Sequence, residues 1–196
     1  MPRAPTGNYA SRQETYSLAA TAGQVYDLND IRINAQFVVA PQLAALYQHY
    51  RITDVQWRLK PNFDTYVGSG SAGTGIMPYL YFLYDKSGSL GLLDANNFEQ
   101  CGAKPVRVDE KTIIRKWKPT VLVSGDNAAV PMFKQSPWMP TWDPTGTTMN
   151  APNHLGAVWY VSKSAFGDAQ IYDIDVTVTF QFKKPLVKPT SNNAQA

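Results

Sequence analysis

The sequence is short of the side chains that do chemistry. It has one cysteine, Cys101, so no disulfide can form within the chain and nothing requires an oxidising compartment. Its two histidines, His49 and His154, are too few and too scattered for a metal site, and no metal or other cofactor is expected. No apolar run approaches the roughly 18 residues of a membrane-crossing helix, so membrane insertion is not expected. Residues 1–5, Met-Pro-Arg-Ala-Pro, hold no apolar core of a secretory signal. Charge is sparse as well. The net charge of +3 permits nucleic acid as a partner without demanding it.

What the chain does have is strand-forming material. Hydrophobic residues make up 44%, enough for a substantial core, and the 14 prolines and 13 glycines are spread along the chain as turn formers. No linker-like stretch divides the chain, so a single domain is expected. The organising segment is Ile171 to Lys183. From Tyr172 on, apolar Tyr172, Ile174, Val176, Val178, Phe180 and Phe182 alternate with polar Asp173, Asp175, Thr177, Thr179, Gln181 and Lys183. That period of two predicts a long strand with one dry and one wet face.

Other strands follow the same logic. Glu14 to Thr21 alternates, and Val25 to Leu28 reads as its continuation past a bulge at Gly23. Ile52 to Lys60 places Thr53, Val55, Trp57 and Leu59 on one face and Asp54, Gln56, Arg58 and Lys60 on the other. Met77 to Asp85 is apolar on both faces, so both should be covered. Val106 to Trp117 and Leu155 to Ser162 read as further strands. The region from Lys86 to Asn97 reads as turns, and Ser124 to Asn153 as ordered loops with room for a short strand. Only Pro41 to Tyr50 shows helical spacing, with Leu43, Leu46, Tyr47 and Tyr50 forming one apolar stripe.

The pattern predicts an all-β fold, a single eight-stranded antiparallel jelly roll of two packed sheets with long loops and one short helix. Residues 1–13 are expected to form a mobile arm, 14–185 the jelly roll, and 186–196 a flexible tail.

Candidate chemistry is thin. Gly68, Gly70 and Gly73 match G-x-G-x-x-G, but a strand and not a helix follows, so a surface loop outweighs a dinucleotide site. Asp173 and Asp175 share a strand face and could chelate a cation, though a solvated face explains them as well. Cys101 and His154 could make a nucleophile pair only if the fold happened to join them. The five tryptophans and eleven tyrosines exceed what one small core usually absorbs. Some should anchor protein–protein contacts, with Trp138 and Trp142 as candidate subunit-interface residues. Stacking on sugars, as in a jelly-roll carbohydrate-binding module, is the competing explanation.

Four segments then resemble one family. Tyr50 to Pro61 looks like the Y-R-I-x-x-V-x-x-x-x-x-P strand of circovirus capsid proteins. Trp117-Lys118-Pro119-Thr120-Val121-Leu122 is similar to its aromatic-x-P-x-x-L stretch, and His154-Leu155-Gly156 to its H-x-G-L strand entry. Tyr172 to Lys183 is similar to the closing Y-x-I-x-V-T-x-x-V-Q-F strand. The order and spacing hold over roughly residues 14 to 185.

The resemblance implies a coat protein without enzyme activity that self-assembles, sixty copies to a small T=1 icosahedral shell around a circular single-stranded DNA genome. It implies a place in the virion, with assembly in the host nucleus, and an N-terminal arm inside the shell with the tail outside. The host receptor or glycan is not implied. The family's long Arg-rich arm is represented here only by Arg3 and Arg12. DNA binding is therefore expected to be weak, carried by Arg3 and Arg12 together with Arg58 and Lys60 on the polar strand face.

Overall fold

The computed structural model describes residues 9–61, 78–88, 90–92, 94–109, 111–123, 132–143, 145–163 and 171–186. The glycine run at 68–73, Arg3 and nearly all of the expected tail lie outside these residues.

The alternating segment forms the longest strand, β12 (Ile171–Pro185). All six of its even-numbered side chains from Tyr172 to Phe182 are fully buried. Each such burial stabilises the fold by about 2 kcal/mol. The length of β12 lets it take two long antiparallel partners, β1 (Tyr9–Thr21) on one side and β3 (Tyr47–Lys60) on the other. β6 (Ile113–Trp117) extends the sheet beyond β3, and β9 (Met139–Pro140) pairs with the start of β3. A second, four-stranded sheet runs β2 (Val25–Leu28), β11 (Ala157–Val161), β4 (Tyr79–Leu83) and β5 (Val106–Arg107). A third, three-stranded sheet holds β10 (His154–Leu155), β7 (Thr120–Val123) and β8 (Met132–Gln135). Every pairing among the named strands is antiparallel.

The main core lies between the two larger sheets. Trp57 of β3 meets Trp159 of β11 edge-on at 5.6 Å, and Phe82 of β4 lies 5.3 Å from Trp57. β4 is covered on both faces, as its sequence predicts. Leu80 and Phe82 join the main core, while Tyr81 and Leu83 join a second cluster around Phe98 and Val158. Gly156 is a point of close approach, because a Cβ there would collide with the Trp117 indole.

Several expectations are corrected. The helix is α1 (Val39–Ala44), not Pro41 to Tyr50. A helix this short is marginal alone, whereas β12 offers residues 47–50 ladder partners out to Pro185, and the ladder wins. Tyr50 is accordingly buried in a strand, and Leu46 is 58% exposed rather than part of a dry stripe. α1 is held by Glu14 of β1, whose carboxylate accepts the N–H groups of Val38, Val39 and Ala40. These are the donors that a helix N-terminus leaves without internal partners.

β1 starts at Tyr9, so residues 9–13, including Arg12, belong to a strand and not to an arm. β2 does not continue β1 but crosses to the other sheet, turned by Gly23 at φ 83°. A bulge between Thr179 and Phe180 puts Asp54 opposite Thr179 and Ile52 opposite Phe180. Ile52, not Thr53, therefore takes the buried position. Residues 106–117 form two strands in different sheets, because the Asp109 carboxylate accepts the Lys111 N–H and turns the chain between them. Residues 154–161 likewise divide at Gly156. A second helix, α2 (Ala95–Gln100), occupies part of the expected turn region, capped by the Asp94 carboxylate on the Asn97 N–H. The eight expected strands become twelve segments among the described residues.

Candidate nucleic-acid and subunit interfaces

The wet face of the five-stranded sheet carries Arg58 and Lys60, and register sorts its polar side chains into rows. Near one end, Ser17, Asp175 and Arg58 lie side by side on β1, β12 and β3, with Asp173 opposite Lys60 in the next row. The Asp175 carboxylate accepts Arg58 Nη2 at 2.7 Å, Lys60 Nζ at 2.6 Å and Ser17 Oγ at 2.7 Å. Those three donors, Lys60 first, hold its carboxyl far below the usual carboxylate range. Arg58 and Lys60 thus lie together on one polar face, but around an anion that neutralises much of their charge. Asp175 is committed to cations of its own chain. No cluster of three potential metal ligands occurs among the described residues.

The other end is built differently. Tyr9, Lys183 and His49 form one row, and Ser11, Gln181 and Arg51 the next. Trp138 lies over them. The Arg51 Cζ is 4.5 Å and the Lys183 Nζ 4.4 Å from its ring centroid, and the Tyr9 ring stacks on it at 5.9 Å and 29°. Arg51 donates from Nε and Nη2 to Gln181 Oε1, which aims its guanidinium across the sheet. His49 is pushed down in pKa by desolvation and then by Lys183 and Lys184. Among the described residues no carboxylate lies within 4 Å of the Arg51 or Lys183 charge. An open cleft lined by Tyr9, Ser11, Arg51, Trp138 and Gln181 runs beside the cluster.

The loop bearing Trp138 is anchored from below. Ser136 Oγ accepts the Ile52 N–H at 3.1 Å and lies 3.0 Å from Nε2 of the fully buried His154. The Nδ1 of His154 faces the carbonyls of Ile31 and Pro152 at 3.2 and 3.1 Å. Two carbonyls can only accept, so Nδ1 carries the proton and Nε2 accepts from Ser136. Burial pushes the imidazole pKa down to about 4.

The remaining predicted sites disperse. Arg12 makes an ion pair with Glu14 at 3.6 Å, so part of its charge is used on its own strand. Trp138 is half-buried against its own subunit, and Trp142 is half-buried in a bridge to Met149. Cys101 is exposed at the end of α2, while both nitrogens of His154 are engaged elsewhere. The sequence reading missed Arg51, Lys183 and Tyr9. The register that aligns them was implicit in the alternation of β12, but the partner strands were not. It also missed Leu122 and Phe133, which stand opposite each other on β7 and β8 and are 50% and 42% exposed.

The comparisons with known proteins agree with this architecture. No curated protein sequence matches the chain significantly. In fold, the chain resembles the BFDV capsid protein in its 60-mer form, with TM-score 0.67 and 12% identity, over 95% of this chain and 98% of that one. The decameric BFDV capsid protein matches at TM-score 0.54 and 14% identity, over 90% and 100%. The virus-like particle of the giant freshwater prawn Macrobrachium rosenbergii nodavirus matches at 0.52 and 12%, over 96% and 89%. The fold is a viral antiparallel jelly roll. The family model described as circovirus capsid protein matches residues 8–186, nearly the whole chain, and shows that this protein belongs to the circovirus capsid protein family.

Proposed function

We propose that this chain is the building unit of a closed T=1 shell of sixty copies around a circular single-stranded DNA genome, assembled in the host nucleus. The observation that carries the reading is the end-to-end likeness to a subunit that forms a 60-mer, within a family match that spans the jelly roll. Its role is structural and not enzymatic. His154, the base that the sequence offers as a partner for Cys101, spends both ring nitrogens on holding the fold. Many large aromatics serve the core as well: Trp57, Trp159, Tyr50 and Tyr172 are fully buried, and Tyr16, Tyr26, Tyr47 and Trp117 pack against the same core, so the aromatic richness of the chain does not call for sugar stacking.

The contact between copies runs through the three-stranded sheet. Its edge strand β8 and neighbour β7 present Leu122 and Phe133 as a paired apolar patch. An exposed apolar pair beside a sheet edge is a surface that a neighbouring copy covers. Trp138, being used within its own subunit, contributes less to that contact. Genome binding is weak and salt-sensitive, since a net charge of +3 lets each copy neutralise few phosphates.

Negative-stain microscopy of the purified protein tests the reading. Uniform closed particles are expected, and Phe133→Asp should abolish them while leaving a folded subunit. A wild-type protein that stays monomeric across salt and concentration would overturn the proposal.

A further inference from the structure

Resting on the shell reading, we infer that the Tyr9–Trp138–Arg51–Lys183 cluster is a contact for single-stranded nucleic acid. Arg51 and Lys183 take a backbone phosphate, and a base stacks on Tyr9. Arg58 and Lys60, the pair that the polar strand face suggests first, do not form the contact.

Three observations carry this assignment. The first is charge balance. Arg58 and Lys60 converge on one carboxylate, whereas Arg51 and Lys183 meet none within 4 Å among the described residues. A phosphate approaching Asp175 meets an anion held in place, and one approaching Lys183 does not. Asp54 lines a second cleft that Arg51 also lines. It makes no ion pair with Arg51.

The second is the aromatic platform. Proteins that hold single strands without sequence preference combine backbone-tracking cations with rings on which bases stack. Trp138 already has both cations against its ring system, which orders them. Tyr9 stacks on Trp138 and is still 59% exposed, so it has ring surface left for a base.

The third is pre-organisation. Gln181 fixes the Arg51 fork through Nε and Nη2, and Nη1 is left without a partner among the described residues. Ser136 and His154 hold the Trp138 loop against Ile52. The contact is therefore built before any ligand arrives, and little ordering remains to oppose binding.

The test measures binding of a fluorescein-labelled oligothymidylate of about 12 nucleotides to the full chain, by anisotropy across a salt series, with micrographs from the same samples. Lys183→Gln should weaken binding severalfold and make the salt slope shallower by about one. Tyr9→Ala should weaken it roughly tenfold while Tyr9→Phe keeps it, because the ring face and not the hydroxyl does the stacking. An abasic oligonucleotide should lose the Tyr9 dependence and keep the Lys183 dependence. Lys60→Gln should change affinity less than twofold. Circular dichroism checks that each variant is folded, and the Lys183 side chain makes no hydrogen bond among the described residues. The inference is overturned if Lys60→Gln weakens binding as much as Lys183→Gln does, or if Tyr9→Ala binds like wild type. It is equally overturned if the Lys183 and Tyr9 variants lose particles but not binding, which would make the cluster a subunit contact. Shells with unaltered binding would sink this inference alone. Binding that depends on these residues without any shells would instead sink the shell reading.

Discussion

The two ends of one sheet face carry equal numbers of named cations and behave as opposites. Arg58 and Lys60 stand around Asp175, while Arg51 and Lys183, about 20 Å further along the same strands, stand around Trp138. The difference comes from the partner opposite each cation. A carboxylate consumes a positive charge. An indole face attracts the charge but leaves it positive toward solvent. Identical side chains on an identical polar face thus become a structural clamp at one end and a ligand-facing group at the other.

Removing what holds up the Trp138 end should have the largest effect. His154→Ala should lower the unfolding free energy by about 3 kcal/mol at neutral pH, because it opens a cavity, takes the acceptor from the Ser136 O–H and the ring N–H from the Pro152 carbonyl, and leaves the Ile31 carbonyl only the backbone N–H of residue 154. Acid should act on the same group in the wild type. The folded imidazole has a pKa of about 4 and the unfolded one an ordinary value of about 6.5. Below pH 6.5 the unfolded chain takes up a proton that the folded one refuses. Stability should therefore fall between pH 6.5 and 4, by about 3 kcal/mol in all. Denaturant titrations across that range would read it, and a flat wild-type profile would refute the buried neutral His154.

The next effect would make the two ends alike. Asp175→Asn should cost about 2 kcal/mol, allowing for the partial exposure of Arg58 and Lys60. It should also convert the clamp into a second phosphate site, with tighter oligonucleotide binding and a salt slope steeper by up to about two. The depressed carboxyl pKa fixes the pH dependence. Its stabilisation is fully present above the ordinary unfolded value of about 3.9 and is lost as pH falls through the lower folded one. Wild type and Asp175→Asn should converge only in strong acid. Unchanged DNA affinity in the variant would mean that Asp175 does not mask those cations.

Smaller still, Trp138→Leu should cost about 1 kcal/mol by removing both cation–ring contacts and leaving Arg51 and Lys183 to repel each other. Arg12→Gln should lie at the bottom of the series, below about 0.5 kcal/mol, as an exposed ion pair at 3.6 Å is worth little. An Arg12→Gln variant that loses as much as Asp175→Asn would show that exposure does not separate the two ion pairs.

Strand β12 was readable to within two residues of its end, because burying one face of a strand imposes a period of two, which this segment keeps without a break from Tyr172 to Lys183. The covered faces of β4 were readable from its continuous apolar run. The end of α1 was not. Residues 47–50 satisfy a helical stripe locally, and only the length of β12 reveals the better partner. The clamp was half legible: Arg58, Lys60 and Asp175 each sit at a polar position, but their meeting requires knowing which row each occupies. Trp138 was legible as a ring with a role and misplaced as to what it touches. The Leu122–Phe133 pair gave no signal, since two apolar residues eleven apart show their partnership only once β7 and β8 pair.

By itself, then, the sequence determined that the chain is an antiparallel β protein, which segments are its long strands, and through four motifs which family it resembles. Those properties depend on local spacing and on residue types. The tertiary structure alone decided which cations are neutralised and which stay free, which histidine is locked in one tautomer, and which apolar side chains are left facing outward. Those depend on neighbours brought from more than a hundred residues away, Asp175 to Arg58 and His154 to Ile31, and no period within a single segment encodes them.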